Sequence, residues 1–313
     1  MSPAFIDFFK DFERRIMNIK DYSANMKKAV MVELGEGYEV EEVTVCKNNG
    51  VKMEGLIIKK DGLSLSPTIY LKYFYENYMD GESIREGAKR FVSEYLSALP
   101  SSELDMDFYS DYEEVKKGLS FKLISGKRNQ SLLKTLPHVP FLDLEMVFYY
   151  VLDMPGAPEG NILITNEHLE LWGIKPDTLI KDAKANAPMK LPVMFRELYS
   201  FLKKVSNYQE CDLFGLEDFP DMYVISNEEM SYGAAVMLYP GFLKEISEKL
   251  GRNLFVIPSS VHELILLPDR GYEDVSYLKD MIYEVNRTQI APQDVLSDSL
   301  YYFDMDSEQI TFA

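Results

Sequence analysis

The chain has 313 residues, enough for one large domain or two of ordinary size. Hydrophobic residues make up 46% of it and aromatic residues 13%, which excludes an intrinsically disordered chain. Acidic residues outnumber basic ones by 51 to 33, and the net charge of −18 repels nucleic acid at long range. The acidity favours a solvated surface or a basic partner protein. Mimicry of DNA is disfavoured, because the acidic residues are spread among apolar ones.

Cysteine content and the N-terminal segment indicate a cytoplasmic protein. Cys46 and Cys211 are the only cysteines and lie far apart, so no disulfide framework is expected and a reducing compartment fits. The first 22 residues carry charge throughout and lack the features of a signal peptide. The longest apolar runs are too short to span a bilayer, so no membrane association is expected.

The first hundred residues predict a helix, a β-meander and a second helix. Aromatic residues at helical spacing predict a helix over 5–16. Alternating apolar residues on both sides of 48–50 (Asn-Asn-Gly) predict a β-hairpin, and 68–71 supply a third strand. A helix follows Ser83 and ends at Pro100. We therefore expect an N-terminal unit over 1–100 and a C-terminal unit over 101–313.

The middle of the chain begins with an acidic, turn-rich stretch that is the best candidate for a connection between the two units. Proline and glycine then punctuate a series of short elements. In order, the sequence predicts a helix over 112–119, strands over 121–125, 139–153 and 162–165, and helices over 176–186 and 195–205.

The last third predicts a layer of the type ββα-ββα-ββ. Its strands are expected over 222–226, 234–239, 254–257, 262–267, 300–303 and 310–312. One helix is expected between Pro240 and Gly251, and another has its apolar face on residues from Val275 to Val285. The predicted fold class is α+β, with mostly antiparallel sheets and helices packed on one side.

A serine and a histidine are the candidate catalytic residues. In a strand, Ser260 and His262 would share a face, and a distant aspartate could orient the imidazole, as in a hydrolase. Ser260 lacks the G-x-S-x-G context of a nucleophile elbow. A turn at Pro258 and a hydrogen-bonding His262 explain the same residues without catalysis.

Metal, cofactor and nucleic-acid sites are not expected. His262 and Glu263 begin a zinc-type HExxH pattern, but Leu266 occupies the place of its second histidine. No phosphate-binding glycine loop is complete. The densest basic run, over 116–128, carries few charges and no recognition motif.

A ligand pocket, if the chain has one, is predicted at one end of the C-terminal sheet. Asn227 and Gly233 flank the loop between two predicted strands, and Pro258 and Ser259 begin another turn. Both turns gather small polar residues beside an apolar sheet, which is typical of a binding site. Turn chemistry alone explains the same residues.

Two stretches of the chain resemble an uncharacterised bacterial family. The stretches YVISN…GAAVMLYPGFLKEISEKLG…LFVIPSSVHELILLPD and NNGVKMEGLIIKK…SPTIYLKYFYENY are similar to domain of unknown function number 5688. The second half has a fainter likeness to domain of unknown function number 1444. The resemblance implies a bacterial, cytosolic protein of the kind that mobile elements can carry, and implies no activity, cofactor or catalytic residue.

Three functions are compatible with these patterns. The first is a non-enzymatic binding or interaction protein with an unidentified protein or small-molecule partner, using the sheet end or an exposed aromatic patch. The second is a hydrolase that uses Ser260 and His262. The third is a mobile-element factor whose acidic surface binds a basic protein.

Overall fold

The computed structural model describes five stretches of the chain: 17–60, 66–99, 107–152, 160–205 and 221–313. The predicted helix over 5–16 and Cys211 lie outside them. Contacts group the described residues into two compact units, the first drawn from 1–47, 51–108 and 153–160, and the second from 48–50, 109–152 and 161–313. The division into units over 1–100 and 101–313 remains a prediction.

The first unit combines helices with a three-stranded antiparallel sheet of order β1-β2-β3. Its described elements are α1 (Ile19–Leu34), β1 (Tyr38–Cys46), β2 (Lys52–Lys60), β3 (Thr68–Tyr70), α2 (Lys72–Met79) and α3 (Ile84–Ala98). The predicted hairpin is confirmed, with Cys46 opposite Lys52 next to the turn. Its turn contains Asn49 at φ 60°, a conformation that asparagine tolerates better than most residues.

The core of the first unit lies between α1, α3 and the sheet. Tyr22 and Met26 of α1 are fully buried in one cluster with Phe91 of α3 and Leu56 of β2. Sequence patterning did not predict α1, which begins after Asn18, whose side chain accepts hydrogen bonds from the first backbone N–H groups of the helix.

Within the described ranges, the second unit contains two sheets and most of the helices. Its elements are α4 (Tyr112–Val115), β4 (Leu119–Ser125), α5 (Gln130–Leu133), β5 (His138–Phe141), β6 (Leu144–Leu152), β7 (Gly160–Leu163), α6 (Asn166–Trp172), α7 (Pro176–Lys190), β8 (Val193–Glu197), α8 (Leu198–Val205), β9 (Tyr223–Asn227), α9 (Phe242–Leu250), β10 (Leu254–Pro258), β11 (Leu264–Pro268), α10 (Val275–Thr288), β12 (Tyr301–Asp304) and β13 (Gln309–Phe312).

Both sheets of the second unit confirm the predicted α+β class. One sheet has six strands in the order β13-β12-β10-β11-β9-β8, and the pairs between them are antiparallel. The other sheet has the order β4-β6-β5, with β7 also paired to β6. In the six-stranded sheet, Phe255 and Leu267 pack with Leu278 and Ile282 of α10. Val256, on the opposite face, is also fully buried, so both faces of this sheet are covered.

One predicted element in the second unit is wrong, and another begins later than predicted. Residues 234–239 are not a strand, because Gly233–Leu238 forms a 3₁₀ helix. Four of its residues, 234–237, are 0–3% exposed, so the run is apolar on every side and its period cannot be read from hydrophobicity. Strand β9 pairs with β8 and not with that run. Because β8 includes residues 195–197, the helix predicted over 195–205 begins only at Leu198.

The predicted strand over 139–153 is interrupted. It divides into β5 and β6 at a turn in which Leu142 has φ 55°. Among the described residues, no helix combines the length and apolar composition that a membrane span requires.

Candidate functional site

Two turns meet at one end of the six-stranded sheet. Strand β9 ends at Asn227, β10 ends at Pro258, and β11 begins at Leu264. The strand register places Leu264 opposite both Pro258 and Ile225, so the loops that follow β9 and β10 lie at the same end. The candidate residues from both turns are therefore brought to one place.

Asn227 closes the loop that follows β9. Its side chain donates to the backbone oxygen of Ser231 at 2.7 Å and accepts from the Ser231 N–H at 3.1 Å. The residue is 2% exposed. A buried amide with both ends bonded to the same loop holds that loop in one conformation, so Asn227 fixes the shape of the loop after β9.

Gly233 lets the two turns approach each other. An added Cβ would clash with Ser226 Oγ and lie 2.5 Å from the backbone oxygen of His262 and 2.6 Å from the backbone nitrogen of Asn227. Ser226 Oγ donates to that same His262 oxygen at 2.7 Å. A residue without a side chain is therefore required for this close backbone contact.

Both ring nitrogens of His262 have neighbours. The Tyr232 N–H donates to Nδ1 at 3.2 Å, so in the neutral ring the proton is on Nε2. Nε2 lies 3.5 Å from Oδ1 of Asp294. The ring stacks on Tyr232 at 5.5 Å between centroids, and the ammonium of Lys122 lies 3.9 Å from the centroid of the Tyr232 ring. His262 is thus oriented by a hydrogen bond and a ring stack from Tyr232 and by its contact with Asp294.

The serine hydroxyls of this turn are directed to a carboxylate. Ser260 Oγ donates to Oε1 of Glu263 at 2.8 Å, and Ser259 Oγ donates to the same oxygen at 3.1 Å. Ser260 Oγ also accepts from the His262 N–H at 2.9 Å, and the residue is 4% exposed. Pro258 is buried at the end of β10. These hydrogen bonds hold residues 259–263 in a turn. The strand predicted over 262–267 therefore begins later, at Leu264, and His262 lies in the turn before it.

The hydroxyl of Ser260 and the imidazole of His262 are not joined as nucleophile and base. The hydroxyl proton is directed to Glu263, and the lone pair of His262 Nδ1 is used by Tyr232. A serine nucleophile needs a free imidazole lone pair within hydrogen-bonding distance. The expectation that the two side chains share a strand face fails because both lie in the turn before β11.

A surface pocket of about 410 Å³ opens beside this turn. Met230, Ser260, His262, Glu263, Asp294 and the residues 289–291 line it. We call it the carboxylate pocket. The residues predicted for binding, Asn227, Gly233, Pro258 and Ser259, are not among its lining residues. Asp294 and the residues that follow α10 were not predicted, because tertiary contacts bring them here. These include the hydrogen bond from the Val261 N–H to the Asp294 backbone oxygen at 2.8 Å.

The loop over the carboxylate pocket contains strained backbone. Met230 has φ 50° and Tyr232 has φ 52°, in the left-handed region that bulky residues rarely adopt. Each such residue costs about 1–2 kcal/mol. Strain of this kind persists where surrounding contacts fix the conformation and is concentrated at functional sites. Here the contacts of Asn227 and His262 hold the loop.

His168 and several cations of the basic run already have partners within the protein. Burial lowers the pKa of His168, whose Nδ1 accepts from the Thr165 N–H at the start of α6. In the basic run, Lys117 pairs with Glu114 at 2.6 Å. Lys116 and Arg128 are also paired with carboxylates. Among the described residues, no group of three or more His, Cys, Asp or Glu side chains is arranged to hold a metal ion.

One family shares its sequence pattern with nearly the whole chain. Residues 19–305 match the model of a family of unknown function, DUF5688. No curated protein and no solved structure matches the chain. The match covers both compact units, and its description gives no activity, ligand or partner.

Proposed function

The chain belongs to family DUF5688, whose description gives no activity, and from its geometry we propose that it is a non-enzymatic binding protein. Its ligand carries a cationic amine or guanidinium group, which enters the carboxylate pocket. The observation that supports this proposal is the composition of the pocket. Glu263 and Asp294 both line it, and no lysine or arginine is among its described lining residues.

Each carboxylate has one oxygen available to a ligand. Glu263 Oε1 accepts two serine hydroxyls, and Asp294 Oδ1 faces His262. Within the described part of the chain, Glu263 Oε2 and Asp294 Oδ2 have no hydrogen-bonding partner. An ammonium or guanidinium group offers the donors that these two oxygens lack.

The pocket is also held in place before a ligand arrives. Asn227 fixes the loop after β9, and the serine hydroxyls fix the Glu263 carboxylate. A fixed binding group loses less conformational entropy when a ligand binds. The apolar side chain of Met230 lines the same pocket and can contact the carbon atoms next to the cationic group.

A hydrolase has less support as the function. Its proposed nucleophile, Ser260, is 4% exposed and donates its proton to Glu263. Turnover of p-nitrophenyl acetate that disappears in the Ser260→Ala variant would favour the hydrolase over the binding protein. We expect no such turnover.

The test is a calorimetric titration with arginine amide. The double variant Glu263→Gln/Asp294→Asn removes both charges, while the introduced glutamine side chain keeps an oxygen that can accept from the two serines. Partly exposed ion pairs contribute about 1 kcal/mol each, so the loss of both weakens binding about thirtyfold.

A matched control separates the pocket from the general acidity of the protein. The variant Asp280→Asn/Glu284→Gln removes the same charge from the exposed side of α10. We expect it to leave the affinity unchanged within about twofold, since screened charges act weakly at a distance. Equal weakening by both variants would favour the mobile-element alternative, in which the whole acidic surface attracts a basic protein. A wild-type titration without saturation would overturn the proposal.

A further inference from the structure

A second pocket in the same unit has exposed charges of the opposite sign. Its volume is about 530 Å³, within the range of small-molecule sites. Its wall includes Lys127, Lys134, His138, Leu142, Asp143 and Glu145. We call it the lysine pocket. The turn after β4, helix α5, the start of β5 and the β5–β6 turn surround it.

The carboxylate of Asp143 is engaged by hydroxyl groups. Oδ2 accepts from Ser297 Oγ at 2.6 Å and from Ser299 Oγ at 3.1 Å, and Oδ1 accepts from the hydroxyl of Tyr301 at 2.7 Å. Burial is the main cause that raises the pKa of Tyr301, and the negative charge of Asp143 raises it further. The hydroxyl therefore keeps its proton and remains a donor. Both oxygens of Asp143 are therefore occupied by donors from within the unit.

One oxygen of the Glu145 carboxylate is buried. Its Oε2 atom is buried and has no hydrogen-bonding partner among the described residues. A carboxylate oxygen withdrawn from water in this way is unusual, because burial without a donor is costly. The negative charge of the lysine pocket is thus partly removed from the surface that a ligand meets.

The positive groups, in contrast, are exposed. Lys127, Lys134 and His138 are all exposed, and neither lysine has an ion-pair partner within the described ranges. His138 Nδ1 donates to the Leu136 oxygen at 2.8 Å, since a carbonyl can only accept. The remaining ring nitrogen, Nε2, is left for a ligand. Most other cations of the neighbouring basic run are paired, which sets these two lysines apart.

The apolar side of the pocket is unusual as well. Leu142 is 39% exposed and has φ 55° in the turn between β5 and β6. A leucine in left-handed backbone at the edge of a pocket is strained and exposed at once. Left-handed backbone in a bulky residue persists where surrounding contacts fix it, and it is concentrated at binding and active sites.

We propose that the lysine pocket binds a small organic anion, through a phosphate or carboxylate group that contacts Lys127 and Lys134. Leu142 contacts the carbon skeleton of that anion. This pocket shares no lining residue with the carboxylate pocket. The proposal of an anion site therefore does not depend on the proposed cationic ligand.

Two anions test the proposal and identify the group. Inorganic phosphate and succinate are titrated against the full chain, and backbone amide shifts in NMR spectra report binding. Saturation by phosphate alone assigns a phosphate site, and saturation by succinate alone assigns a carboxylate site. Saturation by neither overturns the proposal.

Three variants decide whether the binding takes place in the lysine pocket. Lys127→Gln/Lys134→Gln should weaken the affinity about thirtyfold, and the control Lys181→Gln/Lys184→Gln, on exposed positions of α7, should leave it unchanged. Glu145→Gln should strengthen it roughly threefold, because it removes an opposing charge. Weaker binding in the Glu145 variant, or equal weakening by both lysine pairs, contradicts the proposal.

Discussion

Replacing Gly233 by alanine tests the close approach of the two turns. The new Cβ would lie 2.5 Å from the His262 oxygen and 2.6 Å from the Asn227 nitrogen, and both are backbone atoms that cannot rotate away. Overpacking of this kind costs about 1–3 kcal/mol, and displacing the hydrogen bond between Ser226 and His262 costs about 1 kcal/mol more. We expect a loss of about 2–4 kcal/mol in the free energy of unfolding.

The assay is urea unfolding followed by tryptophan fluorescence. Trp172 is the only tryptophan of the chain and lies in the second unit, so its signal reports the unit that contains Gly233. The matched control is Gly251→Ala, where a Cβ meets nothing within 4 Å and only the backbone at φ +66° is strained. That strain costs about 1–2 kcal/mol. A Gly233 variant no less stable than the Gly251 variant would refute the steric argument.

Two further predictions concern Gly87 and Asp298. Gly87→Ala should stabilise the first unit by about 0.5–1 kcal/mol, because alanine favours a helix more than glycine does and Gly87 lies inside α3. The nearest atom to an added Cβ is 3.4 Å away, so there is room for the methyl group. A lower melting temperature of the variant would contradict this prediction. Burial opposes ionisation of Asp298, but a hydrogen bond from Asn286 and the charge of Arg128 outweigh it, so its pKa lies below the ordinary value. A lowered carboxyl pKa stabilises the folded state above the unfolded pKa, and this stabilisation is lost as the pH falls through the folded pKa. Asp298→Asn should therefore lower the free energy of unfolding more at about neutral pH than at about pH 3. Urea unfolding of both proteins at these two pH values measures the difference. A loss of stability that does not depend on pH would contradict the prediction.

The fold was predictable where local signals agree with tertiary packing. The turn at 48–50, the left-handed Gly251 after α9 and the final hairpin are specified by residues next to each other in sequence. The run from Gly233 to Leu238 was not predictable, because a segment buried on all sides has no polar face to reveal its period. Strand β8 was hidden for a related reason, since its apolar residues continue directly into α8.

The candidate site was predictable in its location and not in its composition. Asn227, Gly233, Ser260 and His262 do meet at one end of the sheet, as both turns suggested. Their roles depend on hydrogen bonds that no spacing reveals, such as the donation from Ser260 to Glu263. Asp294 comes from a distant stretch of the chain, and only tertiary structure places it beside His262.

Strand β4 connects the surroundings of the two pockets. This seven-residue strand carries Lys122, which lies over the Tyr232 ring that stacks on His262. The turn that follows the same strand holds Lys127, a side chain of the lysine pocket. The ring stack beside one pocket and the turn that lines the other are thus joined by a single strand. Any cooperativity between a cation and an anion must then be the same size whichever of them binds first.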